Sequence, residues 1–423
     1  MIHVVKAGES LYAIARDYGV NPLQLAAENG LSPQDTLVVG QTLVVLFPRT
    51  LHIVRAGETL SSIARRYGTD VRTLWRSNRW LEGKSDLNVG TVLVISYFRS
   101  PLGSLSVSGY AYPAIAPETL QGALPYLTTL VPFTYGIGQD GTLLPLGDEA
   151  LREAARRMGV GTLLHLSTVT EQGNFSNGRA SMLLEDEVMQ ERLCGEILST
   201  VQTRGFSGVD VDFEFVFPQE AGKYARFVER LRDTLHPYGR SVTVALAPKT
   251  SADQKGLLYE GHDYAMLGAA ADRVFLMTYE WGYTYGPPMA VAPLPQVERV
   301  LRYALAEIPR EKITLGIPTY GYDWRLPYRQ GDSKARSLSN VEAVALARRY
   351  GARIQYDDAS ASPWFRYWDE AGREHEVWFE DARSIAAKLQ LALRREIAGI
   401  GYWNLDRPFP ENWLILHALV DIA

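Results

Sequence analysis

Three carboxylates stand at alternate positions in one short run of the chain. Residues 208–214 read Gly-Val-Asp-Val-Asp-Phe-Glu, which places Asp210, Asp212 and Glu214 two residues apart. Side chains alternate across a β-strand, so the three carboxylates share one face and apolar side chains occupy the other. Carboxylates held this close repel one another, which spreads their pKa values apart. A carboxyl whose pKa is raised in this way can act as a general acid near neutral pH.

Two other interpretations of this run are a solvated acidic edge strand and a metal site. The regular apolar alternation argues against an exposed edge. No histidine stands close by in the sequence, which weakens the metal interpretation. Catalysis is therefore the favoured interpretation, and we expect neither a metal nor another cofactor.

The carboxylate run is one of eight short apolar runs that alternate with helical patterns. The predicted strands cover residues 105–112, 127–133, 162–166, 208–213, 241–246, 273–279, 313–318 and 397–403. Helices are predicted between them, for example over 219–235 and 295–307. Eight alternating units predict an α/β fold, a (β/α)8 TIM barrel with its active site at the C-terminal strand ends. The longest interval, after the seventh strand, contains a predicted hairpin over 364–378, so we expect a small α+β insertion at about 325–380.

The first hundred residues contain an internal repeat. The run from His3 to Leu11 recurs almost unchanged from His52 to Leu60. In each copy the following apolar residues have the spacing of one helix face, and Ser10 and Thr59 are placed to cap that helix. A second helix and a strand complete each copy, which predicts two small βααβ units.

These repeats resemble the LysM module, which binds glycans that contain N-acetylglucosamine, such as peptidoglycan and chitin. The resemblance implies that glycan contacts come from the first loop of each copy and from the loops after Asn29 and Asn78. The implied glycan-binding residues are Gly8, Glu9, Ser10, Leu11, Gly57, Glu58, Thr59 and Leu60. The alternative for each single residue is structural, with the glycines forming turns and the leucines filling a core. Two linked copies would raise avidity for a repeating polymer.

The carboxylate run resembles the signature of glycoside hydrolase family 18, Asp-x-x-Asp-x-Asp-x-Glu on the fourth barrel strand. The resemblance implies that Glu214 protonates the glycosidic oxygen and that Asp212 orients the N-acetyl group of the substrate. Tyr279 matches the tyrosine that hydrogen-bonds this acetamide, and Asp210 completes the implied catalytic set. Ser207 departs from the pattern, because the family has its first Asp there, which puts the proton relay below Asp210 in question.

Aromatic residues at the strand ends are the expected sugar platforms, because a flat ring suits the C–H face of a pyranose. Trp403 matches the family's tryptophan beneath the cleaved sugar. The predicted substrate-binding residues are Trp403, Tyr110, Trp281, Tyr320 and Trp378. Plain core packing stays an open alternative for the last four.

Charge and composition exclude some partners and leave others. The formal net charge of -5 disfavours nucleic acid and anionic membranes, so we expect binding to neither. The single cysteine, Cys194, cannot form an intrachain disulfide and is predicted to be buried. The N-terminal residues lack the features of a signal peptide, so a wall-directed enzyme would need another route to its substrate.

The expected organisation is two LysM modules at 1–47 and 50–97, a connection around 99–103, and a barrel at 104–423. This combination resembles bacterial spore cortex-lytic N-acetylglucosaminidases, which are made in the mother cell and deposited in the spore. The prediction is therefore a retaining glycosidase that cleaves β-1,4 linkages in cortex peptidoglycan during germination. The alternatives are a chitinase that acts on a chitin-like polymer, a catalytically silent glycan-binding protein, and a scaffold anchored in a spore layer.

Overall fold

A closed barrel of eight parallel strands forms the centre of the molecule. The computed structural model describes all 423 residues. The barrel strands are Gly103–Ala111, Thr129–Pro132, Gly161–Ser167, Gly208–Asp212, Ser241–Leu246, Arg273–Leu276, Ile313–Pro318 and Gly399–Trp403. The eighth strand pairs in parallel with the first, with Gly399 opposite Ser106, which closes the sheet. The predicted (β/α)8 barrel is confirmed, and each predicted strand lies within a few residues of its observed position.

Helices surround the barrel and bury their apolar faces against its strands. They are Pro117–Ala123, Glu149–Arg157, Asn177–Glu185, Glu187–Arg204, Ala221–Leu235, Tyr264–Ala270, Leu294–Glu307, Ala382–Arg394 and Pro410–Leu419. The helix after the fourth strand shows the principle, because Phe227, Val228 and Leu231 lie on its inner face with no accessible surface. None of the helices has the length and apolar character that crossing a bilayer demands.

An antiparallel sheet of five strands is inserted between the seventh and eighth barrel strands. In spatial order its strands are Arg336–Ser339, Tyr320–Arg325, Glu374–Trp378, Ser362–Trp368 and Gln355–Asp357. The helix Asn340–Arg349 packs on it, which gives the expected α+β insertion. The predicted hairpin is present, and its turn contains Gly372 with a left-handed φ of 70°.

Each N-terminal repeat folds as strand, helix, helix, strand, as predicted. The first comprises Ile2–Val4, Leu11–Tyr18, Pro22–Glu28 and Thr42–Val44, and the second Phe47–Ile53, Leu60–Arg66, Val71–Ser77 and Val92–Phe98. The hydroxyl of Ser10 accepts a hydrogen bond from the Ala13 amide at 3.2 Å, and Thr59 accepts one from Ser62 at 3.1 Å. Both first helices therefore have the predicted N-caps.

Both repeats pack directly against the barrel and its insertion. Val38 of the first repeat is buried within the apolar core of the insertion, and the Ile354 amide donates to the Val39 carbonyl at 2.9 Å. In the second repeat, the Arg76 Nε donates to the Pro125 carbonyl at 2.7 Å. The three parts of the chain thus share buried contacts in addition to the short connection between them.

Two equivalent glycines of the repeats test this packing. Gly40 and Gly90 have φ of 89° and 88°, so alanine at either position adds about 1–2 kcal/mol of backbone strain. A Cβ on Gly40 would also overlap the Ile354 carbonyl, whereas one on Gly90 would meet nothing within 4 Å. We expect Gly40→Ala to lower the free energy of unfolding by about 1–3 kcal/mol more than Gly90→Ala does. Calorimetric unfolding measures both, and equal losses would contradict the docked arrangement.

Candidate active site

The fourth barrel strand and the turn after it carry the three carboxylates. Asp210 and Asp212 point into the barrel and are buried, while Glu214 lies just past the end of the strand and is half-buried. Phe213, on the opposite face, stacks on Phe227 with ring centroids 5.6 Å apart. This apolar packing under a helix fixes which side of the strand faces inward, as the alternation predicted.

A cavity of about 430 Å³ opens above these carboxylates at the C-terminal ends of the strands. Of the predicted site residues, those that line it are Asp212, Glu214, Tyr279, Trp281, Trp403 and Tyr110. The loop after the fifth strand adds Gln254, Leu258 and Tyr259, and the helix Leu294–Glu307 after the sixth strand adds Gln296 and Arg299. Sequence reasoning missed this second group, because these residues lie outside any motif and reach the cavity only through the fold.

One imidazole lies between the two buried aspartates. The Nε2 of His165 is 3.6 Å from Oδ2 of both Asp210 and Asp212, and its Nδ1 is 2.6 Å from the Thr134 hydroxyl. The Tyr110 hydroxyl donates to Asp210 Oδ2 at 2.9 Å. Asp210 Oδ1 and Asp212 Oδ1 are buried and have no partner in the chain. His165 is packed in the barrel and lies close to both aspartates.

Burial controls the protonation of Asp210, Asp212 and His165. It raises the pKa of Asp210 to about 6, and the neighbouring charge of Asp212 adds to the shift. Burial also raises the pKa of Asp212, and it lowers the pKa of His165 to about 4. The imidazole is therefore neutral at pH 7, and the two aspartates retain part of a proton between them.

Glu214 has the protonation that an acid requires. Its pKa is raised, first by burial and then by the negative charges of Asp212 and Glu280. A raised pKa means that the carboxyl keeps its proton to higher pH than an exposed glutamate does. Glu214 can therefore deliver a proton to a group bound in the cavity at neutral pH.

Glu280 occupies a strained position at the wall of the cavity. Its φ of 67° lies in the left-handed region, which a residue with a side chain adopts at a cost of about 1 kcal/mol or more. Its carboxylate accepts hydrogen bonds from the hydroxyls of Tyr320 and Tyr322, the latter at 3.0 Å. Tyr320, a predicted sugar platform, thus lies behind Glu280 and does not line the cavity.

The remaining predicted aromatics occupy three different environments. Trp403 lines the cavity and packs edge-on against Phe133, with centroids 4.9 Å apart. Trp281 also lines the cavity, as does Tyr110, whose hydroxyl donates to Asp210. Trp378 belongs to the insertion sheet and does not line the cavity, so its contact with substrate stays a prediction.

A buried histidine positions the turn that carries Glu214. His262 has no accessible surface, and its pKa is lowered to about 4 by burial, so it is neutral. Its Nδ1 accepts the Ala247 amide at 3.0 Å, which leaves Nε2 to donate to the Phe213 carbonyl at 2.9 Å. Phe213, directly before Glu214, is therefore held by a hydrogen bond from His262, whose tautomer is fixed with the proton on Nε2. Nothing in the local sequence around His262 indicates this role.

Ser207 lies at the other end of the barrel from the cavity. It is exposed and precedes the fourth strand. It lines a second cavity of about 390 Å³ that reaches up to Asp210. Most of the walls are hydroxyl side chains, from Ser106, Ser108, Thr128, Thr129, Ser207, Ser241, Thr243 and Thr314. The region beneath Asp210 is therefore polar, in contrast to the branched apolar layers that commonly fill such barrels.

Most predicted glycan-binding side chains of the repeats make contacts inside their own module. Leu11 and Leu60 are buried in the module cores. Glu9 and Glu58 hydrogen-bond to His3 and His52 at 2.8 and 2.7 Å. Ser10 and Thr59 cap helices, and Gly8 and Gly57 take left-handed φ in exposed loops. Glycan contact by these residues stays a prediction.

Comparison with known families agrees with this geometry. The profile of Glycosyl hydrolases family 18 matches residues 149–407, and that of the LysM domain matches residues 3–46 and 52–96. The cortical fragment-lytic enzyme of Bacillus subtilis (strain 168) is 41% identical over 98% of this chain and 97% of its own length. The Bacillus cereus enzyme of the same name is 38% identical with the same coverage.

Two solved structures resemble the chain, one over its whole length and one over part of it. The Bacillus cereus spore cortex-lytic enzyme SleL is 37% identical and superposes with a TM-score of 0.84, covering 100% of this chain and 98% of that one. A chitinase from Chromobacterium violaceum is 29% identical with a TM-score of 0.69, covering 74% of this chain and 98% of its own. The chain therefore belongs to glycoside hydrolase family 18, and it is a glycosidase with two LysM modules ahead of its barrel.

Proposed function

We propose that this glycosidase hydrolyses β-1,4 N-acetylglucosamine linkages in spore cortex peptidoglycan during germination. The observation that carries the proposal is the half-buried Glu214, whose pKa is raised, next to Asp212 in a cavity with tryptophans in its wall. Support for the cortex as substrate comes from relatives named cortical fragment-lytic enzymes, which match 98% of the chain.

The proposed catalytic roles are those that the family resemblance implies, and the positions of the carboxyl groups support them. Glu214 donates its proton to the glycosidic oxygen as the bond to the anomeric carbon breaks. Asp212 orients the substrate acetamide, whose oxygen attacks the anomeric carbon and forms an oxazolinium ion. Water then opens this ion and returns a proton to Glu214. No second carboxylate acts as nucleophile, and the configuration is retained.

Three further residues support this reaction. Tyr279 is buried beside the carboxylates, which raises the pKa of its hydroxyl and keeps it a hydrogen-bond donor for the acetamide oxygen. Trp403 offers a ring face to the sugar at the site of cleavage. Asp210 shares a proton with Asp212, so that Asp212 can become ionised when the oxazolinium ion forms.

The repeats would hold the enzyme on a polymeric substrate. We assign residues 1–47 and 50–97 to the two glycan-binding modules and 104–423 to the catalytic barrel. The first loops of the modules, at Gly8 and Gly57, would contact the N-acetylglucosamine units. The spore is the proposed location, with synthesis in the mother cell.

Chitin is the second candidate substrate. The similarity to the Chromobacterium violaceum chitinase supports it, because that structure matches 74% of this chain at 29% identity. Both substrates contain the acetamide that the mechanism requires. The peptide-bearing muramic acid of peptidoglycan is what separates them.

Substitution of the acid tests the proposal directly. Glu214→Gln keeps the size of the side chain but cannot donate a proton, so we expect reducing-end release to fall by about 10²–10⁴-fold. The assay follows release from spore cortex fragments and from chitin oligomers. Faster release from cortex fragments than from chitin oligomers supports the peptidoglycan assignment.

Glu298→Gln is the matched control for this substitution. Glu298 is an exposed carboxylate that pairs with Arg395 at 2.7 Å, and it does not line the cavity. Its replacement should leave the rate unchanged. Equal release by wild type and Glu214→Gln would remove the catalytic role from Glu214, and binding without turnover by wild type would favour a glycan-binding protein.

The charge of Glu280 should affect the pH dependence of the reaction. This carboxylate raises the pKa of Glu214, so its replacement by glutamine lowers that pKa. Glu214 must be protonated to act, and the basic limb of the kcat/KM profile therefore moves to lower pH in Glu280→Gln. A pH–rate series on one soluble oligomer measures this shift, with Glu298→Gln again as control. A shift to higher pH would show that Glu280 does not act through its charge.

A further inference from the structure

The lining of the catalytic cavity contains one cationic side chain, that of Arg299. The other charged side chains in this lining are carboxyl groups, those of Asp212, Glu214 and Glu280. Arg299 lies on the helix Leu294–Glu307, is exposed, and forms no ion pair. Its neighbour Glu298 pairs instead with Arg395 at 2.7 Å. The positive charge of Arg299 is therefore available to a molecule bound in the cavity.

Two glutamines add neutral hydrogen-bond donors to the same lining. The Oε1 of Gln254 accepts the amide and the hydroxyl of Thr250 at 2.7 and 3.1 Å. The Oε1 of Gln296 accepts the Nη1 of Arg299 at 3.2 Å. Both oxygens are thus engaged within the chain, which leaves the two Nε2 groups as donors. Both side chains are half-buried and line the cavity, so a ligand can reach them.

This donor set has the chemistry of a carboxylate site. A carboxylate accepts hydrogen bonds through both oxygens and donates none, and a guanidinium can bind it in a bidentate manner. A neutral sugar hydroxyl gains no Coulomb attraction from the arginine. Asp212 and Glu280 would repel an anion from their part of the lining, so an anionic group is directed toward Arg299.

The two candidate substrates differ in carrying such a group. Chitin contains N-acetylglucosamine alone and has no carboxylate. Peptidoglycan alternates N-acetylglucosamine with N-acetylmuramic acid, whose lactyl group ends in a carboxyl function. When an N-acetylglucosaminyl bond is cleaved, muramic acid is the leaving sugar and carries the oxygen that Glu214 protonates. The lactyl group therefore lies within one sugar of Glu214, at the cavity that contains Arg299.

We propose that Arg299, with Gln254 and Gln296, binds a carboxylate carried by the muramic acid of the leaving group. The inference rests on the proposed function, because it names the group by which the enzyme distinguishes peptidoglycan from chitin. The carboxylate belongs to the lactyl group or, where an amino acid is attached there, to that amino acid. Arg299 then determines specificity, while Glu214 transfers the proton.

The test uses matched tetrasaccharides of alternating N-acetylglucosamine and N-acetylmuramic acid. One pair has free lactyl carboxylates or their methyl esters, and a second pair has L-alanine on each lactyl group, with its carboxylate free or esterified. The measured quantity is the ratio of kcat/KM for the acid to that for its ester. We expect the wild type to favour the acid in at least one pair. Arg299→Gln should reduce that ratio about five-fold, because it removes a charge-assisted hydrogen bond at an exposed site.

Two further variants make the result specific to the charge of Arg299. Arg299→Lys keeps the charge but loses the bidentate geometry, so it should retain part of the preference. Arg302→Gln is the control, because Arg302 is exposed on the same helix and does not line the cavity. A general disturbance of the helix would change acid and ester alike. Unchanged ratios in Arg299→Gln for both pairs, or an equal loss in Arg302→Gln, would overturn the proposal.

Binding in an inactive background separates this inference from the proposed function. Calorimetric titration of Glu214→Gln measures the affinity for the same pairs without turnover. Adding Arg299→Gln to this variant should weaken the binding of the acid relative to its ester. If the wild type hydrolyses none of the oligomers while this binding preference is present, the proposed function fails and the carboxylate site stands. If turnover occurs and neither rates nor affinities distinguish acid from ester, the carboxylate site fails and the proposed function stands.

Discussion

Two carboxyl groups without a charged partner, Asp210 and Asp212, lie at the centre of the barrel. The rest of the site depends on their protonation and on the groups that stabilise their negative charge. Asp210 and Asp212 are buried, and the imidazole near both is neutral because burial lowers the pKa of His165 to about 4. Full ionisation of both would place like charges in a region of low dielectric. Sharing a proton is the less costly state. The Tyr110 hydroxyl and the polar region below Asp210 stabilise the charge that remains.

The burial of the two aspartates also affects the protonation of Glu214. The same burial that makes the aspartates costly raises the pKa of Glu214, and the charge of Asp212 raises it further. Burial and neighbouring negative charge thus hold the Glu214 carboxyl protonated at neutral pH. The strained backbone at Glu280 is a conformational cost of this arrangement. His262 holds the turn before Glu214 through its hydrogen bond to the Phe213 carbonyl.

Local patterns were sufficient to predict the strands and the shared side of the three carboxylates. A period of two placed Asp210, Asp212 and Glu214 on one side of the chain, and repeated apolar spacing showed the two modules. Contacts formed between distant segments were not predictable in this way. His262 reaches the turn before Glu214 from another loop, and Val38 enters the core of the insertion from the first module. Sequence periodicity does not predict such contacts, because they depend on how the helices, strands and loops pack in the folded chain.

The central claim is that the acetamide of the substrate serves as nucleophile while Glu214 acts as acid. The most direct measurement compares hydrolysis of two matched oligomers, one N-acetylated at the sugar that occupies the cleaved position and one with a free amine there. We expect turnover of the first oligomer, with retained configuration, and no detectable turnover of the second. Comparable rates for both oligomers would contradict it.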